Sequence, residues 1–221
     1  MQTAGTRQKD TKPDKNEYGS RKENRRDLFG KKLNTGILKC DRTEKGDEAY
    51  TPFYAVEPIL KYIPQEWTVW CPFDEEWPAY VRLLRENGRR VVRSSLADGQ
   101  DFFSYEPKEW DVIVGNPPFS KKDRVLERLY SLGKPFAVLL PLAALQGRGR
   151  YRHLKNGVEL LAFDRRISFY MGRKSARPAS GCAFASAYFC RGVLPEKLIL
   201  EEIRQYGRPL WEWQETGDFM E

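Results

Sequence analysis

Apolar residues along this chain come in two rhythms. Short, nearly continuous apolar runs predict strands buried on both faces: Thr68-Val-Trp-Cys71, Arg90-Val-Val-Arg93, Asp111-Val-Ile-Val114 and Phe136-Ala-Val-Leu-Leu-Pro141. Between them the spacing is helical. Thr51-Pro52 predicts a helix entry, with Thr as cap and Pro in the first turn; Ala55, Ile59, Leu60 and Ile63 then share one face, and Pro64 ends it. Glu76–Asn87 predicts a second helix through Tyr80, Leu83 and Leu84, with Gly88 as its stop, and Lys122–Leu132 a third, closed by Gly133. Strands alternating with helices predict an α/β fold: a mostly parallel sheet with helices on both faces. Beyond Gly157 the pattern predicts strands at Val158–Phe163, Ile167–Tyr170 and Ala183–Cys190, then a helix over Pro195–Tyr206. In such sheets ligands sit at the carboxyl ends of the strands, so chemistry is expected just after Cys71, Arg93, Val114 and Pro141.

Charge divides the chain further. The total is +7 over 221 residues, but residues 1–46 alone carry +6 and residues 148–177 carry +7, which leaves −6 for the rest. Residues 1–46, poor in apolar side chains, read as a flexible basic arm with a short helix near Lys22–Leu28; residues 47–221 read as one domain, with a loop-rich basic region at about 147–178. Two basic patches on a mildly acidic body are the footprint of a phosphate-backbone binder, and the arginines suit bidentate phosphate contacts. The candidates are Arg148, Arg150, Arg152, Arg165, Arg166, Arg173 and Lys174. No stretch of ~18 apolar residues predicts a membrane span, and no apolar run near the start predicts a secretory signal. Cys40, Cys71, Cys182 and Cys190 form no Cys-x-x-Cys pair, and His153 is the one histidine. Free thiols, no metal site and a cytoplasmic location, bacterial or in a phage-infected host, are expected. A single histidine also argues against Ser-His-Asp and Cys-His catalysis.

The most informative stretch is the end of the third strand, Gly115-Asn-Pro-Pro-Phe119. Pro117 and Pro118 supply no N–H and fix two φ angles, so the carbonyls there stay rigid and aimed outward beside the Asn116 side-chain oxygen. Two acceptors without a competing donor suit an exocyclic amino group, which has two N–H bonds to give. The amino nitrogen of a nucleobase is a poor nucleophile because its lone pair is conjugated into the ring. Gripping both hydrogens favours a tetrahedral nitrogen and frees the pair for attack. Phe119 offers a face on which a base extruded from the duplex can stack, and Ser120, Lys121 and Lys122 follow as further nucleic-acid contacts.

These residues resemble the AdoMet-dependent DNA adenine-N6 methyltransferases, of the compact phage and prophage type. The resemblance covers about residues 47–195 and is anchored by DEAYTPFYAVEPILKYI, VWCPFD, DGQDFF, VGNPPFSKKDRVLERL, PFAVLLPL, ELLAFDRRISFY and FASAYFCRGVLP. It implies a Rossmann-like class I methyltransferase fold of seven strands, S-adenosyl-L-methionine as cofactor, and double-stranded DNA as partner, with RNA the lesser alternative. It also implies roles. Asn116, Pro117, Pro118 and Phe119 would be catalytic. Tyr50, Thr51 and Pro52 would pack over the methionine part of the cofactor, and Asp74, in the Cys71-Pro72-Phe73-Asp74 loop, would hold its ammonium. Asp98, Phe102 and Phe103 would contact its adenine, with Asp101 a near alternative. Two features depart from the family: CPFD replaces a glycine-rich loop, and Arg93-Ser94-Ser95 stands where an acidic residue usually binds the ribose. An RNA base amino-methyltransferase and a catalytically inactive nucleic-acid-binding module of the same fold are the competing readings; protein-glutamine methylation fits the basic patches poorly. No motif of spaced carboxylates and lysine suggests a nuclease.

Overall fold

The computed structural model describes residues 49–76, 78–171, 178, 184–208 and 210. The basic arm at 1–46, Arg173, Lys174, Cys40 and Cys182 lie outside the described residues. Nine strands are found among those described: β1 (Ala49–Tyr50), β2 (Thr68–Cys71), β3 (Arg90–Arg93), β4 (Val112–Gly115), β5 (Phe136–Pro141), β6 (Glu159–Phe163), β7 (Tyr170–Met171), β8 (Ser186–Arg191) and β9 (Leu198–Glu201). Four α-helices join them: α1 (Phe53–Leu60), α2 (Ala79–Glu86), α3 (Lys122–Leu132) and α4 (Arg148–Leu154).

Seven strands form one sheet in the order β3-β2-β4-β5-β8-β6-β9. The first four are mutually parallel, β8 runs against both its neighbours, and β9 is parallel to β6. Apolar content and depth agree: every residue of β4 and β5 is buried, as the continuous apolar runs require. Helices cover both faces. Tyr188 and Arg191 are an odd number of residues apart on β8 and so point to opposite sides. The Tyr188 hydroxyl donates to the Ala55 carbonyl of α1 at 3.0 Å and lies 2.9 Å from the Tyr80 hydroxyl of α2. The Arg191 guanidinium instead lies 5.3 Å from the ring centre of Tyr130 on α3. The fold is therefore α/β with a mostly parallel mixed sheet. No helix among the described residues is long and apolar enough to cross a membrane.

The connection order creates a crevice. The chain passes from β2 outward to β3, then returns to place β4 on the other side of β2. The connection leaving β2 goes to β3 and the one leaving β4 goes to β5, on opposite sides, so the carboxyl ends of β2 and β4 flank an opening that neither covers. Cys71 and Gly115 end those two strands.

Four local expectations are corrected. The helix expected over Pro195–Tyr206 is strand β9. A helix there would have left the edge of β6 unpaired. In the strand, the Leu160 N–H donates to the Lys197 carbonyl at 2.9 Å and the Asp164 N–H to the Glu201 carbonyl at 3.0 Å. Of the strand expected at Ile167–Tyr170, only Tyr170 pairs, in β7 against β1; Ile167 and Phe169 fill the core instead. The start of the loop-rich basic region is helix α4, held by the Arg150 side chain rather than by an apolar stripe: Nε donates to the Ala144 carbonyl at 2.8 Å, and the guanidinium also reaches Asp123 and the Gln146 carbonyl. Finally, Thr51 does not cap α1. Pro52 is the capping residue, in extended backbone conformation, and the Thr51 hydroxyl is buried without a hydrogen-bond partner.

The tyrosine pair that ties α1 and α2 to β8 is fully buried. Tyr188→Phe removes the donor to Ala55 and the partner of Tyr80 together. It should destabilise the protein by about 1–3 kcal/mol in urea unfolding; an unchanged midpoint would show the hydroxyl to be dispensable.

Candidate functional site

A cavity of about 180 Å³ opens at this crevice, lined by Ala49, Tyr50, Thr51, Phe73, Asp74, Pro78, Tyr80 and Asn116. Three chain segments build it: β1 and the entry to α1, the loop after β2 with the start of α2, and the turn after β4. Gly115 is what lets the second and third meet. A Cβ there would come within 3.2 Å of the Phe73 ring and 3.5 Å of Asp74 Oδ2.

The Asn116 amide is oriented by its donor end. Nδ2 donates to the Ala49 carbonyl at 2.7 Å, which leaves Oδ1 buried and without a hydrogen-bond partner. Ala49 is itself set by β1, whose two residues pair antiparallel with Met171 and Tyr170. Next to Asn116, the Pro118 carbonyl closes the tight turn of Phe119–Lys121 by accepting from the Lys121 N–H at 3.0 Å. The Pro117 carbonyl accepts no backbone hydrogen bond among the described residues. Asn116 Oδ1 thus stands as an uncommitted acceptor in the turn.

Asp74 Oδ2 is the second uncommitted oxygen. The residue is 6% exposed, and Oδ2 has no hydrogen-bond partner. Burial raises its pKa to about 7, because a carboxylate in a low-dielectric pocket is disfavoured against the neutral acid. Arg85 and Arg93 both pair with Glu76, two residues further on. Burial alone would raise the Glu76 carboxyl, but those two arginines hold it below the usual range. Two carboxyl groups two residues apart are thereby driven in opposite directions. Cys71 beside them is fully buried, and burial, reinforced by the Asp74 charge, pushes its thiol well above the ordinary range. It is not a nucleophile.

Of the residues singled out in the sequence, Tyr50, Thr51, Phe73, Asp74 and Asn116 share the cavity. Pro52, Cys71 and Pro72 lie buried behind it. Phe102 and Phe103 reach the cavity wall through Phe73: the Phe73 and Phe102 ring centres are 4.8 Å apart, and those of Phe102 and Phe103 5.6 Å. Asp98 is exposed in the turn after β3. The Ser95 hydroxyl, donating at 2.7 Å, and then Arg93 lower its pKa. Asp101 Oδ1 accepts from the Phe103 N–H at 3.0 Å. Phe119 is 5% exposed, packed edge-on by Phe169 and Phe184 at centre distances of 6.1 and 5.5 Å. Sequence reasoning missed Ala49, Pro78 and Tyr80. Tyr80 was legible as a core position at helical spacing, but nothing local tells that one edge of its ring borders a cavity.

The basic region is more neutralised than its composition suggests. Arg150 pairs with Asp123, Arg152 with Glu127 at 2.9 Å and Arg165 with Asp164 at 2.6 Å. Arg148 and Arg166 are exposed. Ser120 and Lys121 lie half-buried in the turn after Pro118, and Lys122 Nζ donates back to the Phe119 carbonyl at 3.2 Å. The His153 ring lies 5.6 Å from that of Tyr130, and its Nε2 accepts from Arg152 Nε at 3.0 Å. Among the described residues no group of His, Cys, Asp and Glu is arranged to hold a metal ion.

No protein-family model matches this chain, and no curated protein sequence matches it.

The buried carboxyl has a consequence for stability. The folded-state pKa of Asp74, about 7, lies above its ordinary value of 3.8. Its contribution is therefore harmless below pH 4 and turns against folding as pH rises to 7. The loss is up to about 4 kcal/mol, at 1.36 kcal/mol per pH unit. Asp74→Asn removes it. The variant should gain on wild type between pH 4 and 8 in urea unfolding, and a difference independent of pH would place the carboxyl in water.

Proposed function

We propose that this chain is an AdoMet-dependent methyltransferase acting on the N6 amino group of adenine in DNA. The observation that carries the reading is the pair of buried, unpartnered acceptors, Asp74 Oδ2 and Asn116 Oδ1, on one cavity at the crevice between β2 and β4. Such oxygens are costly unless a ligand supplies the missing donors. The seven-stranded, mostly parallel sheet supports a Rossmann-like class I fold.

The residues fit the cofactor at one end. A buried carboxyl lacking a cation suits the ammonium of a methionine moiety. The cavity, at about 180 Å³, is smaller than the roughly 300–1,000 Å³ of pockets that enclose a whole small ligand, so it would take that end alone. Phe102 and Phe103, where the resemblance puts the adenine, adjoin the cavity through Phe73. When bound, the cofactor supplies a methyl group on a positively charged sulfur.

The chain's own part is positioning and hydrogen bonding. Asn116 Oδ1 would accept one amino hydrogen of the target base and the Pro117 carbonyl the other, favouring the tetrahedral nitrogen whose lone pair attacks, and one of those two protons would then pass to water to leave the neutral methylamino group. The fixed amide needs no reorganisation as charge develops on that nitrogen. Exposed Arg148 and Arg166 would contact phosphate. Asp74, neutral in part near pH 7, would ionise against the incoming ammonium and release its proton.

Two outcomes are expected. Asn116→Ala should lower tritium transfer from labelled AdoMet to unmethylated duplex DNA by about 10²–10³-fold, the loss typical of one preorganised polar group, with circular dichroism unchanged. A variant working at half the wild-type rate would remove Asn116 from the reaction, and transfer to RNA but not to DNA would favour an RNA base amino-methyltransferase. Second, affinity for S-adenosylhomocysteine, which keeps the ammonium, should fall by about tenfold per pH unit below pH 7. Calorimetry in buffers of different ionisation heat should register proton release near that pH; a flat profile would place the ammonium away from Asp74.

A further inference from the structure

The sheet ends at β9, whose outer edge is unpaired among the described residues. Its ladder to β6 sets Leu160, Leu161, Ala162 and Phe163 beside Leu198, Ile199, Leu200 and Glu201. Since the Lys197 and Glu201 carbonyls accept from β6 and the loop after it, the backbone groups of 197, 199 and 201 turn inward. The N–H and C=O of Leu198 and Leu200 therefore point away from the sheet. These two leucines are 54% and 73% exposed. On the other face Ile199 packs on the core, and Glu201 accepts from the Tyr62 hydroxyl at 2.7 Å and pairs with Lys61. An edge with outward-facing leucines and free backbone groups is a template for another strand.

We propose that β9 joins two copies of this chain, edge to edge and antiparallel, about a two-fold axis at Ile199. The strand is complementary to itself in that register alone. Leu198 of each copy falls opposite Leu200 of the other, so both outward-facing residues make two hydrogen bonds apiece and the four leucines meet on one face. Lys197, whose ammonium also lies 3.8 Å from Glu159 of its own copy, has its side chain 73% exposed and falls opposite Glu201 of the other copy. An axis on Leu198 or Leu200 would place only one outward residue of the strand in the ladder and would separate lysine from glutamate. Beyond the strand ends Glu196 would face Glu202, which confines the contact to the strand. So short an edge buries far less than the ~1,200–2,000 Å² of a stable complex, and the dimer is accordingly weak and concentration-dependent, with the same patch used on both copies.

Sedimentation equilibrium of the full chain, from low micromolar to near-millimolar concentration, tests this. The mass should climb from 25.8 kDa toward twice that value. Leu200→Lys, at an exposed side chain that folding does not need, should weaken association at least tenfold with unchanged circular dichroism. Ile199→Cys should crosslink under mild oxidation, because an antiparallel pair without mutual hydrogen bonds brings its Cβ atoms within about 4.5–5.5 Å; wild type, treated alike, is the control. A mass fixed at 25.8 kDa at every concentration overturns the proposal. So does a dimer indifferent to Leu200→Lys, and failure of the crosslink beyond the wild-type control overturns the axis at Ile199.

Discussion

A side-chain amide has a donor end and an acceptor end, and holding one decides where the other points. In this chain the Ala49 carbonyl holds the donor end of Asn116 at 2.7 Å. Without that bond the amide could rotate about its last torsion and the buried oxygen would find whatever donor lay nearest. Ala49 owes its position to β7, and Tyr170 of β7 donates through its hydroxyl to the Arg208 carbonyl at 3.1 Å. The orientation of one oxygen in the turn after β4 thus depends on segments from both ends of the described chain. The two prolines complete the arrangement by withholding donors from that turn.

Asp74 shows the same economy from the opposite direction. Glu76, two residues away, takes both Arg85 and Arg93, and Asp74 is left with burial alone. A buried carboxyl with no cation is an unfavourable element that folding alone gives no reason to keep. Its place beside Asn116, with Phe73 and Tyr80 as walls, supports a site completed by a cationic ligand. Gly115 has a related meaning, since a side chain there would meet Phe73 and Asp74 at contact distance.

Among the described residues, part of the basic stretch is neutralised by carboxylates from elsewhere in the chain. Asp123 and Glu127 belong to α3, well before the basic stretch in sequence, yet they neutralise Arg150 and Arg152. Arg150 acts within the fold, fastening α4 to the end of β5 through the Ala144 carbonyl. Arg148 and Arg166 are exposed residues. Net charge of a segment predicts the sign of a field at long range. Which arginines can meet a phosphate depends on their nearest carboxylates, and those are fixed by helix packing.

How far the sequence alone could be read follows from the range of each determinant. Strands β2 to β5 and helices α1 to α3 were legible because continuous apolar runs and helical spacing are properties of neighbouring residues; burial leaves the runs of β2, β4 and β5 no other place, whereas β3, at the sheet edge, is only half-buried. The turn at Asn116 was legible for the same reason: two consecutive prolines restrict the backbone wherever they occur. Strand β9 was not, because Leu198-Ile199-Leu200 fits either period, and the unpaired edge of β6 decided between them. Helix α4 was not, because one arginine bonded to residues of other elements holds it. The cavity was legible in part: Tyr50, Thr51, Phe73, Asp74 and Asn116 were named from the sequence, but Ala49, Pro78 and Tyr80 were not, since they join the others only where two crossovers part at the carboxyl end of the sheet. Local sequence determined which groups are chemically able. Tertiary packing decided which of them were left without partners, because a hydrogen bond or an ion pair is taken by whichever group the fold brings within reach.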